Sequence, residues 1–77
     1  MLKELYDMLE SSAQADKQKA LLSLKLLGEQ AVGIGDHTTG DLYKNAEEAL
    51  SALDDAESRL ETLHKHYKWK RTQFFVI

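Results

Sequence analysis

The sequence predicts an all-α protein, an antiparallel hairpin of two long helices at about residues 2–31 and 39–68 followed by a short extended carboxyl-terminal tail. Three observations predict it. Leu42, Ala46, Ala49, Leu53, Ala56, Leu60, Leu63 and Tyr67 recur at alternating spacings of four and three, the a/d seam of a heptad helix. A second run, Ala20-Leu21-Leu22-Ser23-Leu24-Lys25-Leu26-Leu27, is apolar around most of a helix. The chain has no proline, and three of its four glycines gather in Gly33-Ile34-Gly35-Asp36-His37-Thr38-Thr39-Gly40, where a corner belongs.

Helix one takes residues 1–32 of a single hairpin domain spanning 1–77. Leu2, Leu5, Leu9, Ala13, Asp16, Ala20, Leu24, Leu27 and Ala31 thread one face. The two consecutive steps of four from Asp16 to Leu24 break the heptad, and such a break locally unwinds a supercoil. Ser11 to Asp16 is the weakest helix-forming stretch, so a bend or short interruption there stays open, with one helix as the expectation. Leu24 and Leu27 can face the second helix, which leaves Leu22 and Leu26 in need of another surface. Burying a leucine side chain is worth about 1.5–3 kcal/mol. The expected solution is a homodimer in which two hairpins form a four-helix bundle.

The turn, residues 33–38, first invites comparison with a phosphate loop. A P-loop needs lysine and a hydroxyl residue after its last glycine, whereas Asp41 follows Gly40, and no strand pattern precedes the stretch. As a calcium loop, Asp36 and Glu47 fall at the first and twelfth positions, but Asp41 stands where the sharp-turn glycine belongs. An ion held by Asp36 and His37 is left open but required by nothing. A corner accounts for the same residues. Gly33 supplies the positive φ that ends helix one, and Thr38 caps helix two with Asp41 near its positive end.

Helix two takes residues 39–68. Three of its eight seam members are alanine, so the partner backbone can approach closely. Leu50 and Tyr43 sit beside the seam and widen the apolar face beyond the needs of one contact. Leu50 therefore joins Leu22 and Leu26 as a candidate for self-association. Glu47, Asp54 and Glu61 repeat at seven on the opposite side, as a solvated acidic column. Glu61-Thr62-Leu63-His64 has the Glu-x-x-His spacing of di-iron bundles, but the inward positions are Leu60 and Leu63, so no metal site is expected. His64 and His66 point nearly opposite ways on a helix. No nucleophile stands beside a base, so the expectation is a protein without catalytic residues or cofactor, and not an enzyme.

The tail, residues 69–77, carries the strongest functional signal. Lys65, Lys68, Lys70 and Arg71 interleave with Tyr67 and Trp69, and Phe74, Phe75, Val76 and Ile77 close the chain. Aromatic and β-branched residues at a chain end leave water by folding back on the bundle or by docking a partner. An unidentified protein is the expected partner. Nucleic acid is the alternative, since cationic and stacking side chains serve phosphates and bases.

Charge is distributed unevenly within the net −3. Residues 1–30 carry four basic and five acidic side chains, residues 31–63 two and eight, and residues 64–77 four and none. Phosphate approaching the tail meets an acidic neighbour, which argues against nucleic acid. With no cysteine, disulfides and thiolate metal sites are excluded. A single core in 77 residues leaves only a few kcal/mol, so regular helix packing and self-association are the remaining supplements. The amino-terminal residues alternate charged and apolar side chains, so neither a signal peptide nor a membrane span is expected, and the default location is cytoplasmic.

Overall fold

The computed structural model describes residues 1–31 and 39–67. They form two α-helices, α1 (Lys3–Ala31) and α2 (Thr39–Tyr67), each of 29 residues. At 1.5 Å per residue each rod is about 44 Å long. Helix α1 runs without interruption through Ser11 to Asp16, the stretch of weakest propensity. Contacts with α2 there outweigh the few tenths of a kcal/mol per residue that serine and aspartate cost. The first turn starts early, with the Tyr6 N–H donating to the Leu2 carbonyl at 2.9 Å. Helix α2 is well matched to its dipole, with Asp41 in its first turn and His64, Lys65 and His66 in its last. Gly33, Asp36, His37, Thr38 and the rest of the proposed turn lie outside the described residues, as do the side chain of Ala31 and the tail from Lys68 onward.

The helices pack antiparallel. Side-chain pairs cross between them, Glu10 with His64, Asp16 with Arg59 and Lys17 with Glu57, so numbers rise along α1 as they fall along α2. Between these flanks lies the apolar seam. Its buried members are Tyr6, Ala13 and Ala20 on α1 and Ala49, Ala56, Leu60 and Leu63 on α2. Ala13 is 1% exposed and Ala56 is fully enclosed, because four of the seven are alanines and two backbones can close on one another. Leu42, Ala46 and Leu53 of the α2 heptad are half-buried.

The structure corrects the predicted inner face of α1 at its start and that of α2 at its end. Leu2 is 73% exposed and precedes α1, and Leu5 is exposed too. Tyr6 takes the inward position, one heptad before Ala13 and two before Ala20. One residue is a rotation of about 100°, so Leu5 cannot share that line. Tyr67, the last seam residue of α2, is likewise exposed, with its ring edge-on to His66. Among the described residues there is no strand, and no helix is long and apolar enough to cross a membrane.

Candidate interaction surface

Polar side chains close both edges of the seam. On one flank the Arg59 guanidinium donates from Nη2 to Asp16 Oδ2 at 2.9 Å and from Nε to Asp55 Oδ2 at 3.1 Å. The hydrogen bond to Asp16, more than the attraction of Asp55, holds Arg59 above the ordinary arginine range. On the other flank His64 Nε2 lies 2.7 Å from Glu10 Oε2, and Lys17 Nζ lies 4.0 Å from Glu57. His64 is therefore engaged with the opposite helix. Among the described residues no three His, Asp or Glu side chains converge as a metal site, and no buried side-chain polar atom lacks a hydrogen-bond partner.

The outer surface of α1 is different in kind. Leu22 and Leu26, one turn apart, are 55% and 53% exposed, and Met8 and Leu5 are exposed further up the same helix. With Ser12, Ala15 and Lys19 these residues step by three and four without a break from Leu5 to Leu26, and every one of them is exposed. This is a second a/d seam, about a third of a turn around α1 from the seam that meets α2. Among the described residues the hairpin uses the first and leaves the second exposed. Leu26 also borders a surface depression of 490 Å³ with Ser23, Leu27, Asn45, Glu48 and Ala49.

Leu50 is 58% exposed but stands elsewhere. Tyr43, Leu50, Glu57 and His64 repeat every seven residues, which assigns Leu50 to the flank where Glu57 and His64 meet α1. Leu26 opens toward the other flank, so Leu22, Leu26 and Leu50 do not make one patch. Of the basic and aromatic residues nominated at the carboxyl end, Lys65 is exposed in the last turn of α2. Lys68, Trp69, Lys70, Arg71, Phe74, Phe75, Val76 and Ile77 lie outside the described residues.

Leu5 and Met8 are the surface residues that sequence reasoning missed. The uniform spacing from Leu5 to Leu26 was the available signal, but serine, alanine and lysine in the middle of the seam obscure it. The chain matches no known family model, no curated protein and no solved structure.

Proposed function

We propose that this is a small non-enzymatic interaction or structural protein of the cytoplasm. It self-associates through its apolar helix faces into a four-helix bundle and docks a protein partner through an extended carboxyl-terminal tail. The uncovered seam of α1 carries the reading. Leu5, Met8, Leu22 and Leu26 all stand in water on the single hairpin, while the seven buried apolar residues of the described hairpin include only two leucines and one tyrosine as large side chains. A fully buried large side chain contributes about 1.5–3 kcal/mol, and the outer residues, about half exposed, have a substantial part of that still to gain. A chain of this length is marginal without that contribution.

Sedimentation equilibrium of the full chain tests it. A mass of twice the monomer at micromolar concentration is expected, and a monomer at all accessible concentrations overturns self-association. For the tail, removal of residues 73–77 should leave the dimer mass and melting temperature unchanged while abolishing capture of the partner protein. If the shortened chain loses stability instead, the tail serves its own bundle.

A further inference from the structure

Accepting the self-association just proposed, we infer that the occupant of the outer α1 seam is α1 of a second copy, running antiparallel. The pattern of the seam carries this. Its large apolar residues lie toward its ends, Leu5 and Met8 at one and Leu22 and Leu26 at the other, with Ser12 and Ala15 near the middle. In an antiparallel pair each a residue faces a d residue. One register sets Leu5 against Leu22 of the second copy and Ser12 against Ala15, and two-fold symmetry repeats each pair. The small central pair lets the backbones close. Lys19 then lies along Met8, with its alkyl stem on the thioether and its ammonium reaching water.

Charge selects the direction. In the antiparallel register Glu4 comes beside Lys25 of the second copy, twice by symmetry, because both occupy the same flanking position of the heptad. A parallel pair stacks Lys19 directly on Lys19 and sets Glu4 beside Leu9 and Lys25 beside Gln30, which replaces two attractions with one repulsion. A lysine at a single seam position sets register and orientation in this way. Helix α2 does not obstruct the approach, since it lies about a third of a turn away around α1.

The chain has no cysteine, so one introduced thiol reports direction. Gln30→Cys lies beyond the paired residues in this register. A spin label there should give a label-to-label distance of about 50 Å in the antiparallel dimer and under about 15 Å in a parallel one. Charge reversal adds an independent readout. Lys25→Glu alone should raise the dimer dissociation constant roughly tenfold. The pair Glu4→Lys with Lys25→Glu should restore it. Leu22→Gln should give a helical monomer by circular dichroism and sedimentation, whereas Leu50→Gln should leave the dimer intact. A wild-type monomer overturns both self-association and this arrangement. A wild-type dimer with a short Gln30→Cys distance, or with a mass indifferent to Leu22→Gln, overturns the arrangement alone.

Discussion

Ala56 is fully enclosed between the helices and Ala13 is nearly so, which makes them the residues least able to change. Ala56→Leu adds three carbons where two backbones already touch. Overpacking of this kind costs about 1–3 kcal/mol, so its chemical denaturation midpoint should fall clearly below that of the wild type. Gly28 is the reverse case. It lies within α1, and a methyl group built on it meets nothing within 4 Å. Gly28→Ala should stabilise by about 0.5–1 kcal/mol, read as a melting temperature a few degrees higher. Arg59 sits between these extremes, on an exposed flank. Its pKa is raised by the hydrogen bond to Asp16, so its contribution to stability is present below the arginine range and is lost only as pH rises through that range. Alkaline conditions in ordinary use therefore leave the bridge intact. A double-mutant cycle of Arg59→Ala and Asp16→Ala should show coupling that shrinks as salt is raised toward about 1 M, where screening acts over about 3 Å.

Each helix shows how far a heptad pattern can be read. The α2 seam is legible from Leu42 to Leu63 because its apolar residues never leave the alternation of four and three. Helix α1 carries two overlapping patterns, with Leu9, Leu24 and Leu27 on one and Leu5, Leu22 and Leu26 on the other. Leu2 and Leu5 continue the leucine spacing of the inner face, yet it is Tyr6 that is buried at that end of the hairpin. The outer seam was half legible for the opposite reason. Leu22 and Leu26 announced it, but a serine, an alanine and a lysine separate them from Met8 and Leu5. Those three weaken the apolar signal, while in the proposed dimer they would set direction and allow close approach. The test at this scale is substitution along one line. Met8→Gln should weaken dimerisation as Leu22→Gln does, although the two residues lie about 21 Å apart along α1. If only one of them matters, the seam does not act as a unit.

At the scale of the whole molecule, the antiparallel register puts the turns at opposite ends of the assembly and the two Tyr67 residues about 20 Å apart along its axis, since Tyr67 lies level with the start of α1 in its own hairpin. The two-fold axis then sets both α2 helices on the same side of the α1 pair, next to each other, as a four-helix bundle requires. The two α2 helices would end running in opposite directions, which gives each dimer two separate tail attachments, and a titration should give two partners per dimer. Nucleic-acid binding through Lys65, Lys68, Lys70 and Arg71 would instead weaken steeply with salt, so retention of the partner at high salt separates the two partner classes. The alanine seam has a thermal consequence as well. Heat capacity of unfolding follows the apolar area exposed, and four of the seven apolar residues buried within one hairpin are alanines. Calorimetry of the monomeric Leu22→Gln variant should therefore find a heat-capacity increment below the usual ~12–15 cal/mol/K per residue and a shallow stability curve, with cold denaturation displaced far below freezing.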